Sequence, residues 1–271
     1  MKRLFKIGRL FKFSRTKIVR AQLEESFPDY DKERINELVD AVYDNLALTF
    51  SEIYLANQDW LLKRVKVKGW KNLEKALEKK KGVLLATAHM GNWEIAGKYI
   101  AQFHQPVAPI LRKQRNELFN DYTNNQRKKY NIDLIYKKRA LKKILSFLKR
   151  NAIIAVLTDQ NAGKKGLALD FLGRKASVYS GIAKIALKTK CSIVPAFAVR
   201  KENNDNLLIF EKPIFVDDLK DDKTNIVKLT KQINSIIEEY IKKYPEHWFW
   251  VHKRWRGAKK AKKINVLLTT L

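Results

Sequence analysis

From residue 83 onward, short apolar runs alternate with stretches whose apolar positions recur every three or four residues. Runs at 83–88, 107–111, 132–135, 153–157, 193–199 and 207–214 predict strands. The intervening stretches 93–103, 116–130, 141–150, 180–187 and 225–243 predict helices; the last carries Ile226, Leu229, Ile233, Ile236, Ile237 and Ile241 at helical spacing. Upstream, Ile35, Leu38, Val42, Leu46 and Ile53 predict a helix over 31–57, and a shorter one over 71–80 stops at Gly82. Alternation of this kind argues for an α/β sheet covered by helices. Ligands of such sheets sit beyond the carboxyl ends of strands. Candidate chemistry is therefore expected just after residues 88, 111 and 157.

Length and charge narrow the picture. The 271 residues show no internal repeat and no Gly/Ser/Pro-rich linker, and a hydrophobic content of 45% excludes disorder as the main state. Lysine and arginine number 56 against 28 acids, a formal charge of +28, which predicts a polyanionic partner: nucleic acid, an anionic membrane surface or an acidic protein. A genome-wide lysine bias would produce much of the same excess. The single Cys191 cannot form an internal disulfide, and a cysteine-based zinc site is excluded. The four histidines form no ligand pair at helical spacing, and no glycine-rich phosphate loop occurs, so neither metal nor cofactor is expected.

No run reaches the ~18 apolar residues of a membrane-spanning helix. Residues 1–20 carry eight cations and no acid. On a helical wheel Leu4, Ile7, Phe11 and Ile18 share one face, with Lys2, Lys6, Arg9, Lys17 and Arg20 opposite. Two readings fit: an interfacial helix on anionic lipid, or a helix that packs its apolar side on the domain. The expected division is a membrane-associating segment 1–20 and a single α/β domain over 21–271.

Three strand ends carry candidate chemistry. After the first comes Ala88-His89-Met90-Gly91-Asn92-Trp93-Glu94. A histidine and a carboxylate five residues apart can face each other across a tight turn. The imidazole would take a proton from a hydroxyl and the carboxylate would fix its tautomer. The plain alternative is a helix-capping histidine with Glu94 in the first turn. After the second strand come Arg112 and Asn116, with Arg127 one helix further on; arginines here could grip phosphate or carboxylate. After the strand at 153–157 stand Thr158-Asp159-Gln160-Asn161-Ala162-Gly163, a ligand loop or a surface turn. The closing segment Pro245-Glu246-His247-Trp248-Phe249-Trp250-Val251-His252-Lys253-Arg254-Trp255-Arg256 interleaves aromatics and cations. It suits base stacking, a membrane interface or core burial.

In this order the segments resemble the bacterial lipid A biosynthesis acyltransferases, the Kdo-dependent lauroyl and myristoyl transferases. His89 to Glu94 is similar to that family's His-x4-acid signature. Asp159-Gln160 with Gly163, Phe171 and Gly173 is similar to its Asp-Gln…Gly…Phe-Gly block, Val194-Pro195 to its Val-Pro strand, and 245–256 to its closing Pro-x-x-Trp-x-Trp-x-His-x-Arg segment. The resemblance spans about residues 15–256. It implies a central mixed, mainly parallel sheet flanked by helices, of the glycerolipid-acyltransferase kind, with an N-terminal helical segment. It implies an acyltransferase of lipopolysaccharide biosynthesis that acylates a hydroxyl or hydroxyacyl group of a lipid A precursor at the cytoplasmic face of the inner membrane, held peripherally; another glycolipid or phospholipid acceptor is the alternative, and a basic nucleic-acid-binding protein a remote one. The implied partners are acyl-carrier protein as donor, an anionic glycolipid acceptor and the membrane surface, with no nucleic acid. Implied catalytic residues are His89, Glu94 and Arg127; implied substrate contacts are Asn92, Arg112, Asn116, Asp159 and Gln160. The chain departs from the family pattern twice. Family members usually begin with a transmembrane helix, which is not evident here. The family's proline beside the glycine after Asp-Gln is replaced by Asn161-Ala162-Gly163-Lys164.

Overall fold

A computed structural model describes residues 12–114, 116–137 and 140–257. Helix α1 (Lys12–Ser26) leads to α2 (Lys32–Tyr54) and the short α3 (Gln58–Lys63). Next in the chain are β1 (Lys66–Lys68), α4 (Trp70–Leu77), β2 (Val83–Thr87), α5 (Trp93–Ala101), β3 (Val107–Leu111), α6 (Glu117–Lys129), β4 (Ile135–Tyr136), α7 (Ala140–Lys149) and β5 (Ile153–Leu157). A hairpin of β6 (Leu167–Phe171) and β7 (Arg174–Val178) precedes α8 (Gly181–Thr189), β8 (Ser192–Arg200), β9 (Asn206–Phe210) and α9 (Lys223–Lys243). The main sheet runs β1-β9-β8-β2-β5-β3-β4. Only β8 and β9 pair antiparallel in it, so the expected mixed, mainly parallel sheet is what forms.

Both sheet faces are buried, as parallel sheets require. Along β2, Leu84 and Ala86 point into a core closed by α2, α7, α8 and α9, while Val83 and Leu85 point into a second core closed by α3, α4 and α5. The edges depart from expectation where backbone pairing stops. Ile132 makes only an isolated bridge to Val107, so β4 starts at Ile135 rather than 132. Strand β9 ends at Phe210 because Pro213, without an N–H, interrupts the ladder before Ile214 re-pairs with Ile193.

Residues 1–11 of the expected amphipathic segment, with Leu4, Ile7 and Phe11, lie outside the described residues. Helix α1 runs without a break through residue 20, the expected end of that segment, to Ser26. Val19 and Leu23 are fully buried, and Gln22 is tied to the closing segment by hydrogen bonds to Trp250 O (2.6 Å), His252 O (3.1 Å) and from Arg254 N (3.0 Å). Among the described residues no helix is long and apolar enough to cross a membrane.

Candidate active site

The site is built on two adjacent parallel strands. Thr87 of β2 is in register with Leu157 of β5, and Thr158 N bonds Thr87 O at 3.0 Å. Two residues beyond each register partner stand His89 and Asp159, so the ladder itself brings them together across 70 residues of chain. His89 Nδ1 lies 2.9 Å from Asp159 Oδ1, and His89 N donates to Asp159 Oδ2 at 3.1 Å. Trp248 Nε1 donates to the same Oδ2 at 2.9 Å. Burial alone would raise the pKa of Asp159. The adjacent His89 charge, the ring and backbone bonds from His89 and the Trp248 bond outweigh it and hold the carboxyl below its ordinary value. An ionised Asp159 accepts a proton-bearing Nδ1, which leaves Nε2 of His89 as the basic nitrogen.

The turn that carries His89 is clamped from three sides. Gly91 sits at φ +47°, and a Cβ there would fall 2.6 Å from Ala198 O, so only glycine fits. Gly91 N bonds His247 O at 2.9 Å, Phe249 N bonds His89 O at 3.0 Å, and Thr49 Oγ1 donates to Gly91 O at 3.2 Å. Beneath the turn, Asn92 Nδ2 donates to Glu52 Oε2 at 2.8 Å; Glu52 is gripped by Arg200 through Nη1 and Nη2, both at 2.8 Å.

The expected pairing of His89 with Glu94 is corrected by this geometry. Both oxygens of Glu94 are taken by Arg127: Nε to Oε2 at 3.0 Å and Nη2 to Oε1 at 2.6 Å, a bidentate pair between α5 and α6. Helix geometry turns Glu94 toward α6 once Asn92 has capped α5 through Ile95 N at 3.0 Å. Asn92, expected as a substrate contact, is 1% exposed, and its amide is spent on the cap and Glu52. Asn116 caps α6 through Phe119 N (3.1 Å) and is not part of the cavity wall. Asp159 is buried behind His89 instead of facing a ligand. Arg112 and Gln160 do line the cavity, Gln160 Nε2 lying 3.5 Å from His89 Nε2. The tryptophans resolve toward core burial: Trp248 and Trp250 are sealed, and Phe249 alone of that triplet lines the cavity.

That cavity, about 980 Å³, is lined by His89, Glu94 and Arg127 together with small residues, Ala96 and Gly97 of α5 and Ala155 of β5. Ile100, Val107, Ile132 and Ile153 form its apolar depth. Helix α6, which buries Asn120, Thr123 and Asn124 where a packing helix would bury leucines, supplies polar lining. The combination is an imidazole held by a carboxylate on the wall of a largely apolar cavity, suited to a reaction on the head of a long hydrocarbon.

A model of the bacterial lipid A biosynthesis acyltransferase family matches residues 2–257. The chain belongs to this family. The acyltransferase is 24% identical over 260 residues to the lipid A biosynthesis palmitoleoyltransferase of Escherichia coli (strain K12), a match covering 94% of this chain and 83% of that one. It is 23% identical over 260 residues to the lipid A biosynthesis lauroyltransferase of the same organism, covering 93% and 83%. A phosphatidylinositol mannoside acyltransferase of Mycolicibacterium smegmatis (strain ATCC 700084 / mc(2)155) is 19% identical over 188 residues, 68% of this chain and 60% of that one.

Two further histidines of the acyltransferase lie close by. Burial lowers the pKa of His247 to about 4, helped by Arg200. Burial also lowers His252 to about 4, with Asp159 opposing and Arg254 reinforcing the shift. Between about pH 6.5 and 4 the unfolded chain therefore binds protons that the folded chain refuses, and stability falls as pH falls through that window. The melting temperature should decline steadily from pH 7 to 4.5, and more gently in His247→Gln. Identical slopes in the two proteins would exclude His247 as a source of the decline.

Proposed function

We propose that this acyltransferase moves a fatty acyl chain from acyl-carrier protein to a hydroxyl or hydroxyacyl group of a lipid A precursor, with His89 as general base. The observation that carries the reading is the His89–Asp159 pair on the wall of the cavity, with Nδ1 of His89 held by the carboxylate and Nε2 met only by the Gln160 amide at 3.5 Å. The acceptor oxygen loses its proton to His89 as it attacks the thioester carbonyl. The tetrahedral intermediate then expels the thiolate, which takes that proton back from the imidazolium, so no covalent enzyme intermediate is needed. The acyl chain occupies the slot past Ala96, Gly97 and Ala155. Glu94 acts through Arg127, holding the guanidinium at the cavity wall where it can meet a polar or anionic headgroup. Arg112 and Gln160 complete the polar rim.

The surroundings of the cavity favour an interface location. Tyr54, Phe119, Lys137 and Leu141 line the cavity; Leu141 is 51% exposed, and Leu118, next to Phe119 in the chain, is 85% exposed. Exposed apolar side chains on a strongly basic chain fit the headgroup layer of an anionic membrane, and the formal charge of +28 also attracts an acidic carrier protein. We place the protein peripherally on the cytoplasmic face of the inner membrane. The test is acyl transfer by the purified full-length chain, with acyl-acyl-carrier protein as donor. Acceptors are a lipid A precursor in one arm and a phosphatidylinositol mannoside in the other, with mass spectrometry of the product. Acylation of the first by the natural chain and none by His89→Ala is expected. Acylation of the second alone would move the acceptor assignment, and full activity in His89→Ala would overturn the base.

A further inference from the structure

His252 belongs to the closing motif, yet general-base catalysis by His89 leaves it without a task. It lines the same cavity as His89. Its Nε2 accepts a hydrogen bond from Asn161 N at 3.1 Å. A backbone N–H can only donate, so this nitrogen carries a lone pair and the ring proton of the neutral imidazole sits on Nδ1. That Nδ1 has no partner among the described residues, and it is not sealed in the interior; the Nδ1 of His247, by contrast, is both buried and unpartnered. The ring also stays neutral at working pH, because burial and Arg254 disfavour its charged form.

The arrangement is paired with that of His89. Asp159, Gln160 and Asn161 are consecutive residues of the loop after β5. The first accepts from Nδ1 of His89, the second reaches toward Nε2 of His89, and the third donates to Nε2 of His252. One loop thus sets two cavity imidazoles in opposite roles: one offers a lone pair, the other an N–H. Segment 247–252 is itself locked to the His89 turn through Gly91 N on His247 O and Phe249 N on His89 O, both backbone bonds, so the two rings keep a fixed relation.

We propose that His252 is a second catalytic residue, whose Nδ1–H donates to the carbonyl oxygen of the acyl thioester and stabilises the oxyanion formed when the acceptor attacks. This rests on the reading of His89 as base. A neutral, pre-oriented donor suits developing negative charge: it needs no reorganisation, and it cannot protonate the nucleophile it works beside.

Two measurements test it in the full-length protein. Long-range proton–nitrogen spectra of the histidine-labelled chain should show His252 neutral with its proton on Nδ1 from pH 6 to 8; a proton on Nε2 would overturn the proposal whatever the activities. In the transfer assay, His252→Phe should lower kcat by roughly 10²–10³, the usual cost of one oxyanion donor, with KM for the donor changed less than about threefold. His252→Asn, whose amide N–H can replace Nδ1–H, should recover to within about tenfold of the natural chain. Equal losses in the two variants, or a loss confined to KM, would make His252 structural or a ground-state contact and sink the assignment. If His252→Phe does not fold, the Asn variant and the spectrum decide. Should His89→Ala remain fully active, the base reading fails while the tautomer stays measurable; should His89→Ala be dead and His252→Phe fully active, only the oxyanion assignment fails.

Discussion

Asp159→Asn should lower kcat by about 10³–10⁴ while leaving the fold intact, as a wrong-tautomer imidazole does in other histidine-based sites. The direction follows from the hydrogen bonds around the carboxylate. Oδ2 receives two N–H donors, His89 N at 3.1 Å and Trp248 Nε1 at 2.9 Å, so an asparagine must place its carbonyl oxygen there. Its NH2 then occupies the position of Oδ1, 2.9 Å from His89 Nδ1. An amide N–H facing Nδ1 forces the ring proton onto Nε2, the nitrogen that has to accept the acceptor's proton. Geometry survives and chemistry does not. The comparison is Glu94→Gln, which keeps the His89 tautomer and weakens only the grip on Arg127. It should act mainly on KM for the headgroup-bearing acceptor. Steady-state kinetics with both substrates varied would separate the two, and a Glu94→Gln variant as dead as Asp159→Asn would restore Glu94 to the centre of the site.

That contrast also shows what a linear chain conceals. His89 and Asp159 each stand two residues beyond a strand that the apolar pattern announces, and both strand ends are natural places to look. Nothing local says that β5, not β3, lies beside β2, so the nearer acid at position 94 takes the role in a purely sequential reading. The matching offset past two strands is the one clue the chain offers. Asn92 and Asn116 mislead for a related reason: asparagine just before a helix bonds the backbone N–H three residues on, a capping signal that competes with any ligand role. The longer helices and the buried strands are legible because their periodicity is sustained. Helix α3, with 6 residues, and β1, with 3, are too short to show one. His252 is visible as part of a motif, but its function depends on a backbone N–H from residue 161, which residue identity does not encode.

Removing one member of the buried ion pair under the His89 turn should cost far more stability than removing an exposed charge. Arg200 and Glu52 have side chains only 3% and 8% exposed. The guanidinium also bonds Asn45 Oδ1 (3.0 Å) and Thr49 Oγ1 (3.0 Å), so all its nitrogens are satisfied. Glu52→Ala would leave that cation uncompensated in the interior, at a cost of about 3–5 kcal/mol. For a chain of this size such a loss lowers the melting temperature by roughly 6–20 °C. It would also free Asn92, and with it the cap of α5 and the turn that aims His89. Glu52→Leu combined with Arg200→Met removes both charges together and should regain much of the lost stability, since apolar pairs of similar volume often replace buried ion pairs without penalty. Activity should not return in step, because neither new side chain can hold the Asn92 amide. Calorimetry and kinetics on the single and double variants therefore divide the pair's two effects. A double variant that recovers both melting temperature and kcat would mean that the turn keeps its shape without the network, and that the ion pair serves the fold alone.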